Sequence, residues 1–160
     1  MSAAIPDPWF RARPYSTPLF ARLDKPPFRE LRKGERALGP FILPPFQRDP
    51  VWTTAQKVLF IESLWAGLPV GACVVNLPDW SDPPVATFGW LLDGQQRWSA
   101  VFGYVANEFP VFRTYYGALN VRDHSRFGML IFPELHTNLT DPGECREVCE
   151  RLAYGGTPHV

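Results

Sequence analysis

The sequence contains no apolar run of about 18 residues, so no segment is predicted to cross a membrane. It has only three cysteines and no apolar signal segment at its start. Both features indicate a reducing, cytoplasmic location without a disulfide framework. Net charge is also lacking, because sixteen Lys plus Arg residues balance sixteen Asp plus Glu residues. No overall electrostatic field therefore attracts the chain to nucleic acid or to an anionic membrane.

Candidate metal ligands of the zinc-binding type are scarce. His124, His136 and His159 are scattered along the chain. Cys145 and Cys149 lie four residues apart and would share a helix face, but a structural zinc site needs two further ligands. The helical spacing instead favours a place in the core for both cysteines.

What the chain does have is enough apolar material for one domain, with 46% hydrophobic and 14% aromatic residues among 160. The charge is unevenly distributed, because residues 1–48 contain nine basic and four acidic side chains. Six prolines fall within residues 1–28, too many for a helix or a central strand. We therefore predict an extended proline-rich arm over 1–28, either a solvated tail or a basic binding arm, and a domain over 29–160.

Capping signals and hydrophobic periodicity predict alternating helices and strands. Thr53 to Gln56 has capping-box spacing before an apolar helical pattern, and Asp141 precedes a proline suited to the first helical position. We predict helices over 54–66, 95–107 and from Pro142 to the glycines at 155–156, with a helical turn near 122–127. Strands are predicted over 39–44, 71–77 and 88–92, near 129–132, and as a short edge strand over 109–112.

The most informative stretch is LLDGQQRW, residues 91–98, where an apolar strand gives way to an acid, a glycine, two amides and an arginine. The turn leads into a helix, whose first N–H groups attract anions, particularly phosphate. Gly94 permits close approach of the backbone to a ligand. Arg97 offers a planar fork of donors, and Asp93 suits a divalent cation or the orientation of a hydroxyl. Each residue also has a plain structural explanation, but their combination favours a phosphate-binding turn.

Residues 91–97, LLDGQQR, resemble the DGQQR signature of the N-terminal domain of GmrSD-type modification-dependent restriction enzymes, the domain-of-unknown-function 262 family. Three further segments match in order. The segment ILPPFQRDPVW at 42–52 is similar to the family's proline and Gln-Arg motif, and 56–70 is similar to its FIES…GLP segment. The tail at 150–159 resembles its closing GGTP motif. The resemblance covers residues 28–160.

This resemblance implies an α+β single domain of the ParB and sulfiredoxin-like fold, a small mixed sheet flanked by helices. It also implies a nucleoside triphosphate as ligand or substrate, magnesium as a cofactor, and a link to restriction or to conflict over phage DNA modification. The resemblance assigns Asp93, Gln95, Gln96 and Arg97 to the catalytic set, with Asp93 as the magnesium ligand. Nucleotide or phosphate contacts are assigned to Gln47, Arg48, Gly94, Gly155, Gly156 and Thr157.

This sequence differs from the family pattern in two ways that affect which of the family's functions are expected of it. Ala153 stands where the family's tail usually has asparagine, which removes one polar group from the expected ligand side. The larger restriction enzymes carry a C-terminal nuclease domain of HNH type, and this sequence reaches Val160 directly after the last shared motif. We therefore do not expect this chain alone to cut DNA.

Two functions of different class remain open. The first is magnesium-dependent hydrolysis of a nucleoside triphosphate, or phosphoryl transfer to a small hydroxyl or a modified base with Asp93 as the base. The second is a non-catalytic module that binds DNA or a restriction or defence partner, for which the basic residues of 1–48 are the motivation. Neither the nucleotide nor the oligomeric state follows from the sequence.

Overall fold

The computed structural model describes residues 4–154 and contains one small α+β domain with a mixed sheet flanked by helices, as the sequence predicts; the sheet has six strands and there are four α-helices. The strands are β1 (Ala12–Pro18), β2 (Arg36–Leu38), β3 (Phe41–Leu43), β4 (Cys73–Asn76), β5 (Trp90–Asp93) and β6 (Ile131–Thr137). The helices are α1 (Thr54–Trp65), α2 (Gln95–Val105), α3 (Val121–Met129) and α4 (Pro142–Tyr154). None of the described helices is long and apolar enough to span a membrane.

The sheet has the strand order β1-β6-β4-β5-β3-β2. β3 pairs with β5 in parallel, as β4 does with β6, and the remaining neighbours are antiparallel. This order places β5 between β3 and β4. The chain that follows β3 and the chain that follows β5 consequently leave the sheet at the same end, because the two strands run in the same direction.

Alternate residues of the central strands face opposite sides of the sheet. Phe41 and Leu43 of β3 belong to the larger core, which also contains apolar residues of α1, α2 and α3. Ile42, between them, belongs to a second core beneath α4. The sheet is therefore covered by three helices on one face and by α4 on the other, and this double coverage explains why β3 is apolar and why β4 and β5 are apolar except for their last residues.

The helix starts agree closely with the sequence patterns. Thr53 and Gln56 form the predicted capping box of α1, α2 begins at Gln95, and α4 begins at Pro142. The predicted end of α4 at Gly155 and Gly156 lies outside the described residues. α1 and α2 end one or two residues before the predicted positions, within the range over which helix ends fray.

The structure differs from the sequence predictions mainly between residues 109 and 137. The predicted edge strand over 109–112 is wrong, because Val111 forms a single bridge to Thr114 around a tight turn. Phe112 and Arg113 both adopt positive φ in this turn, a conformation that alternating hydrophobicity does not reveal. The predicted helical turn near 122–127 is the nine-residue helix α3, and the strand near 129–132 extends to Thr137 as β6.

Part of the predicted arm of residues 1–28 belongs to the sheet. β1 pairs along its whole length with β6, and the short 3-10 helix that follows contains Leu19, which is fully buried. Arg22 then forms two hydrogen bonds, of 2.8 and 2.6 Å, with the buried carboxylate of Glu134. Burial alone would raise the pKa of Glu134, but the hydrogen bonds from Arg22 and His136 offset burial, and the pKa is lowered. These contacts attach residues 12–22 to the domain.

Candidate functional site

A cavity of about 480 Å³ opens at the N-terminus of α2. Its walls come from the loop that follows β3, from the turn between β5 and α2, and from the last described turns of α4. The two sequence segments singled out as a phosphate-binding site, about 45 residues apart, meet here because β3 and β5 are parallel neighbours. The lining residues are Gln47, Arg48, Asp49, Val51, Trp52, Leu92, Asp93, Gly94, Gln95, Gln96, Arg97, Cys149, Leu152 and Ala153.

Gly94 makes the turn from β5 into α2 possible. It has φ of +109°, a left-handed conformation that residues with a Cβ rarely adopt. A Cβ at this position would lie 2.6 Å from Cβ of Cys73 on the neighbouring strand. The glycine is also the N-cap of α2, so it offers no side chain to accept hydrogen bonds from the first-turn N–H groups. Packing against Cys73 and the left-handed backbone therefore require glycine at position 94. A consequence is that the first N–H groups of α2 receive no hydrogen bond from an N-cap side chain.

Gln95 and Gln96 attach the cavity loop, residues 47–52 after β3, to the first turn of α2. Nε2 of Gln95 donates to the carbonyl of Arg48 at 2.8 Å. Oε1 of Gln96 accepts from the backbone N–H groups of Val51 and Trp52, at 3.0 and 3.1 Å. The sequence predicted both amides as ligand-contacting residues, and the structure places both beside the cavity with these polar atoms bound to the loop backbone.

Arg97 also forms contacts within the protein. Its guanidinium donates to the carbonyls of Val70 and Ala72, at 2.9 and 3.2 Å, and to Oδ2 of Asp93 at 3.2 Å. It lies 5.4 Å from the ring centroid of Phe132. Only 17% of the side chain is exposed. Arg97 therefore holds the chain before β4 against the turn between β5 and α2, and its contact with phosphate remains a prediction.

Asp93, at the end of β5, is one of two acidic residues that line the cavity, and 36% of its side chain is exposed. Oδ2 accepts from Arg97, and Oδ1 has no hydrogen-bond partner among the described residues. Asp49 lines the cavity as well, and it forms an ion pair with Arg36. No group of three or more potential metal ligands of the His, Cys, Asp and Glu types occurs within residues 4–154. One or two carboxylates fit magnesium that arrives with phosphate oxygens, but not a metal cage made by protein alone.

Gln47 and Arg48 occupy the loop wall of the cavity. Nε2 of Gln47 donates to the carbonyl of Leu91 in β5 at 3.1 Å and lies 3.6 Å from Sγ of Cys149. Its amide group thus fixes the start of the loop to the sheet. Arg48 is exposed at the cavity, and its carbonyl accepts the bond from Gln95. The predicted Gln-Arg pair therefore consists of an amide bonded to the sheet and an exposed arginine that lines the cavity.

The α4 wall contains Cys149, which the sequence favours as a core residue, together with Leu152 and Ala153, of which Ala153 is predicted on the ligand side. Cys149 is buried, and burial, the main cause, raises its pKa to about 12. Leu152 and Ala153 follow it on the exposed end of the helix. Their helical spacing was visible in the sequence, but which face of α4 borders the cavity depends on how the helix packs on β5. Gly155, Gly156 and Thr157, predicted to close the pocket, lie outside the described residues.

Several basic residues of the first 48 are neutralised within the fold. Arg29 forms a buried ion pair with Glu35 at 2.7 Å, just as Arg22 pairs with Glu134. Arg36 pairs with Asp49 beside the cavity. These pairs reduce the positive charge that this part of the chain can offer to DNA.

A comparison with protein families agrees with this arrangement. The family model described as "GmrSD restriction endonuclease, N-terminal domain" matches residues 28–149. The match includes β2 to β6, the cavity loop, the turn at 93–97 and α4 as far as Cys149. No curated protein and no solved structure shows a significant match.

Proposed function

The chain belongs to the GmrSD restriction endonuclease N-terminal domain family, and from that membership we propose that its cavity binds a nucleoside triphosphate. The family connects the chain with restriction systems. We further propose that the bound nucleotide is hydrolysed, or donates a phosphoryl group, and thereby controls a restriction or antiphage process. The ParB and sulfiredoxin-like fold assignment is part of the same proposal.

One observation carries the proposal: the loop after β3 and the turn after β5 form one cavity at a helix start whose N-cap has no side chain. The first N–H groups of a helix carry partial positive charge and need acceptors. Phosphate oxygens meet that need, and Gly94 keeps the approach to them clear of a Cβ. The cavity also has the volume of an ordinary small-ligand site.

In this arrangement the first turn of α2 would hold phosphate oxygens, and Arg48 would contact phosphate or base from the loop. Asp93 and Asp49 would hold magnesium together with the phosphates, and the ion would neutralise negative charge there when bound. Alternatively, with magnesium held by Asp49 and the phosphates, Oδ1 of Asp93 would orient the attacking water or hydroxyl, while Oδ2 keeps its bond to Arg97. Gly155, Gly156 and Thr157 remain proposed as the closing segment.

Titration of the purified chain with ATP, GTP and CTP, with and without Mg²⁺, tests binding, and release of inorganic phosphate tests hydrolysis. Asp93→Asn is the most informative variant, because the amide oxygen can still accept from Arg97 while the carboxylate charge is lost. We expect Asp93→Asn to abolish turnover and to weaken the magnesium dependence of binding. A phosphorylated acceptor in place of free phosphate would identify a phosphotransferase. Failure of all three nucleotides to bind would refute the proposal.

A second candidate, a non-catalytic module that binds DNA or a partner protein, is favoured by the internal contacts of Gln95, Gln96 and Arg97. With these three groups committed to the fold, fewer side chains are available for chemistry. Binding of DNA through phosphate contacts should weaken steeply with salt, and replacement of the exposed Arg11 and Arg13 by glutamate should weaken it further. Deletion of residues 1–28 is unsuitable as a test, because it would remove β1 and the buried Leu19.

A further inference from the structure

The loop over the cavity is held by two adjacent glutamines of opposite hydrogen-bonding polarity. Gln95 donates to the loop through Nε2, whereas Gln96 accepts from it through Oε1. The three backbone partners, the carbonyl of Arg48 and the N–H groups of Val51 and Trp52, flank Asp49 and Pro50. Both ends of the exposed turn at 49–50 are consequently fixed to the first turn of α2.

Gln96 satisfies two consecutive backbone donors with one oxygen atom. Val51 and Trp52 follow Pro50, which has no N–H of its own, so these are the first two donors after the turn. Val51 is largely exposed and contributes little packing to hold the loop. The position of this end of the loop therefore depends on an acceptor at residue 96.

Gln95 has the complementary task at the other end. Gln95 is only 7% exposed, and its Nε2 donates to the carbonyl of Arg48, which lies in a loop without a strand partner at that point. A carboxylate in its place would direct an acceptor at the carbonyl of Arg48. Two acceptors in contact repel each other, and a buried unsatisfied polar group costs free energy.

We infer that Gln95 and Gln96 are positioning residues, which place the loop 47–52 over the N-terminus of α2 and do not themselves contact the ligand. This inference rests on the proposed nucleotide site for its functional meaning, but the positioning of the loop is measurable without any ligand. The inference assigns different requirements to neighbouring residues. Residue 95 must donate, and residue 96 must accept.

Replacement of each amide by its isosteric acid separates these requirements. Gln96→Glu keeps the acceptor, and its negative charge lies at a helix N-terminus, where it is tolerated. Gln96→Leu removes the acceptor, and Gln95→Glu removes the donor. Gln56→Glu is the matched control, because Gln56 accepts from the N–H of Thr53 at the start of α1, does not line the cavity, and has a role that glutamate fulfils equally.

Amide hydrogen exchange at Val51 and Trp52, measured in the full chain by NMR, is the first readout. We expect protection close to that of the wild type in Gln96→Glu and Gln56→Glu. In Gln96→Leu both amides should exchange about tenfold faster, and we expect a smaller increase in Gln95→Glu. If Gln95→Glu does not fold, the two Gln96 variants carry the test. Equal protection in Gln96→Glu and Gln96→Leu would overturn the inference.

Affinity for Mg²⁺-ATP and Mg²⁺-GTP is the second readout, and its agreement with amide protection in Gln96→Leu decides the role of Gln96. If Gln96 acts through the loop, Gln96→Leu loses affinity together with protection at Val51 and Trp52. If Gln96 instead contacts phosphate, affinity falls while protection at Val51 and Trp52 is unchanged, and the inference fails. A wild-type chain that binds no nucleotide refutes the proposed function, whereas the exchange results would still establish or refute the positioning roles.

Discussion

The N-termini of α1 and α2 both contain glutamine but use its side chain in different ways. At α1, Oγ1 of Thr53 accepts from the N–H of Gln56 at 3.3 Å, and Oε1 of Gln56 accepts from the N–H of Thr53 at 2.8 Å. These contacts are local, and the helix start satisfies its own donors. At α2, the N-cap is Gly94, and the glutamines that follow reach across to a loop more than 40 residues earlier in the chain.

The difference shows what distinguishes a helix start that only needs to be stable from one that borders a cavity. In a capping box the polar side chains bond to the first turn of their own helix. At the start of α2 the glutamine side chains bond instead to the loop that forms another wall of the cavity. The backbone N–H groups of the turn are left for other acceptors. Polar residues near a helix start therefore indicate a binding site only when their side chains bond to a distant part of the chain and not to the first turn of their own helix.

The largest expected effect concerns Cys73, which packs against Gly94 beneath the start of α2. A helix N-terminus usually lowers a thiol pKa, but burial dominates here and raises the pKa of Cys73 to about 12. At pH 8 the thiolate fraction should therefore be about a thousandfold below that of an unperturbed thiol. Iodoacetamide labelling followed by mass spectrometry, with urea-unfolded protein as reference, measures this. Rapid labelling of Cys73 in the folded chain would show that the start of α2 opens, and it would contradict the description of this helix start as a packed wall of the cavity.

Gly94→Ala should be the most destabilising single change at the start of α2. The new Cβ would meet Cβ of Cys73 at 2.6 Å in a left-handed conformation, so we expect a loss of about 2–4 kcal/mol in the free energy of unfolding. Gly67→Ala, at φ of +73° with no atom within 4 Å, isolates the conformational cost and should lose about 1 kcal/mol. Urea unfolding measures both. Equal losses would mean that the packing against Cys73 is unimportant.

Arg97→Met should cost about 2 kcal/mol in the free energy of unfolding, because it leaves the carbonyls of Val70 and Ala72 without their donor. Arg122→Met, on the exposed face of α3, is the control and should change stability by less than about 0.5 kcal/mol. Thermal unfolding compares the two variants. If Arg97→Met is as stable as the wild type, the arginine is available for a ligand, and its predicted phosphate contact gains support.

These contacts also show how far sequence reasoning reaches. The strand, turn and helix around residues 91–98 were predictable, because apolar runs, a glycine and helical spacing are local signals. The meeting of 47–52 with 93–97 was predicted only through the family resemblance, since the pairing of β3 with β5 is not encoded in either segment alone. Likewise, no local pattern shows that Gln95 donates to Arg48 or that Arg97 turns toward Val70.

The prolines of residues 1–28 illustrate a second limit. Over residues 4–28 they correctly exclude an α-helix and a central strand, but an edge strand tolerates proline where the N–H faces away from its neighbour. The pairing of β1 with β6 depends on a partner more than 100 residues later. Equally, Arg22 and Arg29 look like surface charge in the sequence, and only the positions of Glu134 and Glu35 reveal them as members of ion pairs.

Thr53→Ala should cost about 1 kcal/mol of stability through loss of the α1 cap. Because this cap is local, the affinity of the cavity for nucleotide should remain within about twofold of the wild type, well below the tenfold that corresponds to 1.4 kcal/mol. Thermal unfolding and nucleotide titration on the same preparation measure both quantities. A large loss of nucleotide affinity would show that the two helix starts are coupled.

The smallest expected effect is a gain of affinity in Ala153→Asn, which restores the residue that the family's tail usually has. Ala153 lines the cavity and is exposed, so the added amide loses no internal contact and offers one further hydrogen bond. We expect nucleotide affinity to rise severalfold, consistent with about 1 kcal/mol for one hydrogen bond. No change in affinity would place the ligand away from the end of α4.

The central claim, that a nucleotide occupies the cavity at the start of α2, is tested most directly by filling the cavity. Ala153→Trp places a large side chain in the lining without removing a contact, and Ala55→Trp places the same side chain on the exposed first turn of α1. Calorimetric titration with ATP, GTP and CTP in the presence of Mg²⁺ should show binding to the wild type and to Ala55→Trp, and none to Ala153→Trp. Unchanged binding in Ala153→Trp, or no binding to the wild type, would contradict the claim.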